Sequence, residues 1–203
     1  SSDWSIVGIG DFNDDGKADI LWRNSTTGQV YLWLMNGTTM TSGASVSYVT
    51  SDWVIQGIGA FNGDGKADIL WRNSTTGEVY IWLMNGATLT TSGSLGYVTA
   101  DWSIRGVGDF DGDGKSDILW RDTDGQVYLW LVNGTATTST GSVSYVSSDW
   151  VIQGVGDYDG SGRAGILWRN STTEQVYIWL MNGTALTSSG SPGTPDATWQ
   201  IAP

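Results

Sequence analysis

The sequence of 203 residues predicts an all-β fold, and three observations carry that expectation. Trp4, Trp53, Trp102, Trp150 and Trp199 recur at spacings of 49, 49, 48 and 49 residues, which marks a repeat architecture. Within each period, short apolar runs alternate with turn-forming Gly, Asn, Ser and Thr, and no helical periodicity intervenes. The apolar runs are also apolar on both sides. In Val30-Tyr31-Leu32-Trp33-Leu34-Met35, the set Val30, Leu32, Leu34 points one way and Tyr31, Trp33, Met35 the other. A sheet with two apolar faces must be covered on both. Four-stranded antiparallel sheets stacked face to face around an axis meet that need, so the predicted architecture is a β-propeller with four blades per chain. A β-sandwich would leave one face of each sheet polar.

The first unit shows how four strands fit. The first strand is expected at Trp4 to Ile9, the second at Asp19 to Arg23, the third at Gln29 to Met35, and the fourth around Val46 to Val49. Asn24-Ser25-Thr26-Thr27-Gly28 has the length of a hairpin loop, and Asn36-Gly37 marks another turn. The repeats read as residues 3–51, 52–100, 101–148 and 149–197 of a single propeller domain, 1–203, with a terminal strand at 198–203. Tyr48-Val49, Tyr97-Val98 and Tyr145-Val146 mark the fourth strand in three units. In the last unit, Ser191-Pro192-Gly193-Thr194-Pro195 stands in that place, so this blade is expected to lack its fourth strand. Thr198-Trp199-Gln200-Ile201 then copies the start of a fifth unit. Two arrangements remain open: a four-bladed monomer latched by Trp199, or a homodimer closing an eight-bladed ring.

Between the first and second strands of each unit lies an acidic loop. In the first unit, oxygen-bearing side chains occupy loop positions 1, 3, 5 and 9 (Asp11, Asn13, Asp15, Asp19), Gly16 is at position 6, and Lys17 at position 7 offers its backbone carbonyl. Alternate oxygens in a tight coil with a glycine bend are the beginning of a calcium loop. Position 12 is Trp22 rather than Glu and a strand follows, so this is not an EF-hand. The third copy is the fullest, with Asp109, Asp111, Asp113, Lys115 and Asp117. The second begins with Ala60 and retains Asn62, Asp64 and Asp68, which predicts weak binding. The fourth keeps Asp157 and Asp159, but Ser161 and Gly165 replace the other two acids, so it is expected to be empty or to bind very weakly. Calcium is therefore the expected cofactor.

Charge and composition narrow the function. The formal net charge is -12, and 12 of the 19 Asp fall in the four loops. So acidic a chain lacks the basic footprint that nucleic acid or an anionic membrane surface requires. With no Cys and no His, thiol nucleophiles, imidazole bases and the usual zinc sites are excluded within this chain. Only Glu78 and Glu174 carry the longer carboxylate, both beside turns, and the Asp clusters resemble ligand sets rather than a spaced acid and base pair. Binding rather than catalysis is the expectation. No apolar run is long enough to span a bilayer as a helix, and with no signal peptide in it the sequence reads as a mature or trimmed segment, expected to be secreted.

The motif Gly-Asp-Phe-Asn/Asp-Gly-Asp-Gly-Lys-Ala/Ser-Asp-Ile-Leu, followed by Val-Tyr-Leu/Ile-Trp, resembles the FG-GAP or VCBS repeats of integrin alpha-subunit propellers and bacterial surface proteins. The resemblance covers essentially the whole chain in four copies. It implies a propeller with calcium in the loop between the first two blade strands, an extracellular or cell-surface location, and roles in adhesion, in carbohydrate binding or as modules attached to enzymes. The Gly-Ala-Pro element of the family is absent, since Trp-Arg follows Asp-Ile-Leu here. That recurrent pair supplies the candidate ligand residues: Trp22, Arg23, Trp71, Arg72, Trp120, Arg121, Trp168 and Arg169. Trp33, Trp82, Trp130 and Trp179 recur at the third strand. Flat aromatic area suits sugar rings, with Arg and Asn24, Asn73 or Asn170 bonding hydroxyls to give a lectin-like glycan or cell-surface site. The same residues equally suit packing of blade on blade, with Arg stacked over Trp.

Overall fold

The computed structural model describes residues 3–196 and residue 198. The strand copy expected at Trp199 lies outside them. The described chain is all-β, with sixteen strands in four antiparallel sheets, which are propeller blades. The first blade is β1 (Trp4–Gly10), β2 (Asp19–Asn24), β3 (Gln29–Asn36) and β4 (Thr39–Tyr48). The second is β5 (Trp53–Gly59), β6 (Asp68–Asn73), β7 (Glu78–Asn85) and β8 (Thr88–Tyr97). The third is β9 (Trp102–Gly108), β10 (Asp117–Asp122), β11 (Gln126–Asn133) and β12 (Ala136–Tyr145). The fourth is β13 (Trp150–Gly156), β14 (Gly165–Asn170), β15 (Val176–Asn182) and β16 (Ala185–Gly193). Each sheet follows chain order, so every connection is a hairpin.

Two expectations about the fourth strand are corrected. It begins at Thr39, not near Val46, because the Ser/Thr/Gly stretch itself pairs along β3 from Thr39↔Asn36 to Tyr48↔Gln29. The last blade also has its fourth strand: β16 pairs with β15 from Ala185↔Asn182 to Gly193↔Val176. Small and hydroxylated residues pair through the backbone as well as apolar ones do, and an outer strand needs little burial, so the hydrophobic pattern concealed it.

The two-sided apolar pattern becomes two packed faces. In the first blade the register sets Ile20 opposite Trp33, Trp22 opposite Tyr31 and Leu21 opposite Leu32. Cross-strand partners share a face. One face, here called the front, carries Ile20, Trp22, Tyr31 and Trp33; the back carries Leu21, Val30 and Leu32.

The chain divides into two compact units, residues 1–100 with 133–136, and residues 101–132 with 137–203. In the first, back-face Leu21, Val30 and Leu32 of blade one pack with front-face Ile69, Trp71 and Met84 of blade two, and Phe12 fills the same core. In the second, Leu119, Val127 and Leu129 of blade three pack with Ile166, Trp168 and Met181 of blade four around Phe110. Each fully buried side chain of this size contributes roughly 1.5–3 kcal/mol. The first strands interlock as well. A Cβ placed on Gly8 would lie 2.8 Å from Ile58, and one on Gly106 would lie 2.4 Å from Val155, so these glycines form slots for the next blade's β-branched side chain.

Backbone bonds reinforce each junction. Phe12 O accepts from Gly86 N at 2.7 Å, and Phe110 O accepts from Gly183 N at 2.8 Å. Gly28, Gly77 and Gly125 lie at positive φ, and a Cβ on any of them would be 2.1 Å from the carbonyl oxygen of Val49, Val98 or Val146. Blade four has no Tyr-Val segment, and there Glu174 takes the equivalent left-handed position at φ 62.

Candidate functional site

The acidic loops occupy residues 11–18, 60–67, 109–116 and 157–164, each between the first and second strands of its blade. In the third, carboxylate oxygens of Asp109, Asp111 and Asp117 lie within 4.8 Å of one another. The loop is wound around its first residue. Asp109 Oδ1 accepts from Gly112 N at 2.6 Å, and Oδ2 accepts from Gly114 N at 2.8 Å. Asp111 Oδ1 accepts from Asp113 N at 3.1 Å. The Asp113 carboxylate is paired with Lys115 Nζ at 2.7 Å. The first loop repeats this with Asp11 accepting from Gly16 N at 2.7 Å, Asn13 from Asp15 N at 3.2 Å, and Asp15 paired with Lys17 at 3.2 Å. In the second, Asn62 accepts from Asp64 N, and Asp64 pairs with Lys66 at 3.7 Å. In the fourth, Asp157 winds the loop in the same way, bonding Gly160 N and Gly162 N.

The position-nine aspartates have a second role that spacing did not reveal. Asp117 is buried; its Oδ2 accepts from Phe110 N and its Oδ1 from Val132 N, both at 2.9 Å. Asp19 does the same with Phe12 N and Met35 N, and Asp68 with Phe61 N and Met84 N. Each carboxylate thus ties its loop to the third strand and sets the depth of the neighbouring Phe. In blade four Gly165 replaces the Asp, and Tyr158 stands 39% exposed where Phe12, Phe61 and Phe110, each bonded through its carbonyl to the next repeat, are fully buried. The paired change, Asp-to-Gly with Phe-to-Tyr, was the signal in the sequence.

Burial dominates the electrostatics. It pushes the Asp117 carboxyl up to about 7, assisted by the Asp111 and Asp109 carboxylates and opposed by the two backbone N–H groups. Asp68 rises to about 6 for the same leading reason. Burial raises Asp111 as well, with Asp113 and Asp109 adding repulsion. A cluster that resists losing its last proton is one that a cation would relieve. Its all-oxygen donors suit a hard cation.

The aromatic candidates line the blade fronts. Trp71, Trp120 and Trp168 are at most 1% exposed, and Trp22 is half-buried. Each is tilted against its third-strand partner, Trp22 on Trp33 and Trp71 on Trp82 at 4.7 and 4.9 Å, Trp120 on Trp130 and Trp168 on Trp179 at 5.1 and 5.0 Å. The Arg side chains are engaged by the protein itself. Arg23 donates to the carbonyls of Val49, Thr50 and Trp53 and lies 5.2 Å over the Trp71 ring. Arg121 donates to Val146, Ser147 and Trp150 and lies 5.3 Å over Trp168. Arg72 donates to the Val98 and Thr99 carbonyls. Arg169 instead pairs with Glu174 at 2.5 Å. Asn24, Asn73 and Asn170 accept from the next turn's N–H groups, which holds those hairpins.

Two equivalent pockets emerge. One, of about 280 Å³, is lined by Tyr48, Trp53, Trp71, Tyr80 and Trp82. The other, also about 280 Å³, is lined by Tyr145, Trp150, Trp168, Tyr177 and Trp179, each 97 residues later. Tyr48 and Tyr145 are 65% and 68% exposed at the rims. The indole N–H groups of Trp71 and Trp168 are buried without a hydrogen-bond partner among the described residues. Trp4, Trp22, Tyr31 and Trp33 form the corresponding aromatic set on blade one, lining a space of about 490 Å³.

A β-propeller blade with this loop and this Trp-Arg strand defines the class. The FG-GAP-like repeat matches residues 61–120 and 109–168, and the FG-GAP repeat matches residues 4–33. The chain belongs to the FG-GAP-like repeat family. No curated protein matches it. Similar solved structures include a Photorhabdus luminescens Tc holotoxin pore, 13% identical with a TM-score of 0.43, covering 96% of this chain and 12% of that one. Myxococcus xanthus glutaminyl cyclase is 11% identical with a TM-score of 0.42, covering 92% of this chain and 75% of that one. The Vibrio cholerae biofilm matrix protein Bap1 is 16% identical with a TM-score of 0.37, covering 92% and 38%. Among the described residues, no helix is long and apolar enough to cross a membrane.

Proposed function

We propose that this chain is a calcium-stabilised, extracellular binding module that recognises carbohydrate on a glycan or cell surface, without catalysis. The observation that carries the reading is the recurrence of one aromatic pocket, of equal volume and equivalent lining, in both compact units. Each pocket offers flat apolar rings for the C–H face of a sugar and tyrosine hydroxyls for its polar edge. Two weak sites on one chain raise avidity on a multivalent glycan surface. The guanidinium groups of Arg23 and Arg121 line neither pocket; they hold the Val49–Thr50 and Val146–Ser147 carbonyls of segments that do.

Calcium in this reading is structural. Asp109, Asp111 and Asp117 would hold it in the third loop, and Asp11, Asn13 and Asp19 in the first. The cation would neutralise the clustered carboxylates and fix the loops against the sheets. A glycan array probed with and without calcium tests the whole reading. Binding to defined glycans is expected, lost in the Tyr48→Ala, Tyr145→Ala double variant, whose rim positions leave the cores intact. Silence across a broad array refutes carbohydrate recognition. It would favour the alternative of an interaction scaffold without a small-molecule ligand, which the burial of Trp71 and Trp168 in the blade cores also accommodates.

A further inference from the structure

Position 3 of the acidic loop is Asn13 in the first copy, Asn62 in the second, Asp111 in the third and Asp159 in the fourth. The residue that follows lies at positive φ in every copy: Asp14, Gly63, Gly112 and Gly160, at φ 60, 73, 82 and 75. In three copies the aspartate at position 1 holds the N–H of that residue. Gly112 N donates to Asp109 Oδ1 at 2.6 Å, and Gly160 N to Asp157 Oδ1 at 2.8 Å. The Asp14 N–H bonds the Asp11 carboxylate. The second loop has Ala60 at position 1. There Gly63 N has no hydrogen-bond acceptor among the described residues.

Asn62 is thus followed by an exposed glycine whose N–H is free. Its carboxamide is turned back over that peptide, because Asn62 Oδ1 accepts from Asp64 N at 3.1 Å. The same donor sits on the oxygen where negative charge would develop if the Gly63 nitrogen attacked Asn62 Cγ. Glycine carries no Cβ to obstruct that approach. We infer that Asn62 is a modification site, at which the folded loop converts its own side-chain amide into a carboxylate. Gly63 N gives its proton to solvent and bonds to Cγ. The Cγ–Nδ2 bond breaks, ammonia leaves, and a cyclic imide remains. Water then opens the imide at either of its two acyl–nitrogen bonds, giving an aspartate or an isoaspartyl linkage. One water is consumed and one ammonia released, with no oxidation or reduction. Either product adds a negative charge to the loop. The aspartate supplies the acid that Asp111 supplies in the third copy, in the one loop that lacks an acid at position 1.

The other asparagines are placed differently. Asn13 is followed by Asp14, which has a side chain and a bonded N–H. Asn36, Asn85, Asn133 and Asn182 precede glycines but end third strands. Gly86 N, Gly134 N and Gly183 N donate to the Phe12, Phe61 and Phe110 carbonyls. Asn36 is paired in its sheet with Thr39, and no N–H donates to its carboxamide among the described residues.

The test incubates the folded 203-residue chain at mildly alkaline pH and follows each asparagine by peptide mapping and mass spectrometry. Isoaspartyl methyltransferase counts the rearranged product, and circular dichroism confirms the fold. Asn62 should convert ahead of Asn13, Asn36, Asn85, Asn133 and Asn182. Ala60→Asp restores the acid found at position 1 of the other loops. It should slow conversion of Asn62 about tenfold, equivalent to about 1.4 kcal/mol of N–H bonding lost before attack. An Asn62 that stays intact in the wild type, conversion led by another asparagine, or an unchanged rate in Ala60→Asp overturns the inference. The readout is the mass of one residue, so it stands apart from calcium and glycan binding.

Discussion

Arg121 and Arg169 occupy the same repeat position, yet their replacement by Met should have very different costs. Arg121 is 9% exposed and donates to three backbone carbonyls, at 2.8 Å to Val146, 2.9 Å to Ser147 and at short range to Trp150. Charge-assisted bonds contribute about 1.5 kcal/mol each at the low end, for a sum of about 4.5 kcal/mol. The stacking over Trp168 adds about 1 kcal/mol. Desolvation of the guanidinium, which also lowers its pKa, offsets about 2 kcal/mol. Methionine retains most of the aliphatic contact, so Arg121→Met should cost about 3.5 kcal/mol. Arg169 has only its ion pair with the partly exposed Glu174, so Arg169→Met should cost about 1 kcal/mol or less. Equilibrium urea unfolding followed by Trp fluorescence measures both. Equal losses at the two positions, or a loss below about 1 kcal/mol at Arg121, would refute the assignment of these arginines to the blade junctions.

Other outcomes follow from the loops and turns. Calcium at a hundredfold excess over its dissociation constant should raise stability by about 2.7 kcal/mol per site, and Asp109→Ala should remove the third loop's share of the increase; differential scanning calorimetry with and without chelator reads this. In chelator, stability should fall as pH rises from about 4 to about 7. The Asp117 and Asp68 carboxyls are raised in the folded state, so their contribution is complete below the ordinary 3.8 and is lost through about 6 to 7. Asp157, held below the ordinary value by the Gly162 and Gly160 N–H groups, titrates outside that window. Melting temperatures that climb from pH 5 to pH 8 in chelator would contradict the sign. Gly77→Ala should destabilise by at least 2 kcal/mol, because the new Cβ would sit 2.1 Å from Val98 O at φ 75; a melting point within a degree of wild type would count against that geometry.

The amino-acid sequence alone determined the repeat, the blade, the loops and three of the four strands in each unit. These rest on local periodicity: alternate residues face opposite sides of a strand, and a glycine bend with alternating oxygens forms a loop wherever it occurs. The fourth strand was displaced because Thr39 to Val46 carries almost no hydrophobic signal, although its backbone pairs along the whole of β3. Within the loops, the sequence showed the spacing of the oxygen-bearing side chains. It did not distinguish Asp117, which bonds Phe110 N and Val132 N, from Asp113, which pairs with Lys115.

Only the tertiary structure decided the fate of the Trp-Arg pairs and of the blade-four substitutions. Arg23 and Arg121 reach carbonyls 25 to 30 residues away, a relation that no local pattern encodes. Glu174 in place of glycine, and its pairing with Arg169, follow from the missing Tyr-Val segment, whose carbonyl elsewhere leaves no room for a Cβ. Periodicity specifies which face a residue takes, because that depends on its neighbours in the chain. What the face meets depends on the adjoining blade, and so does whether a ring packs, stacks or lines a pocket.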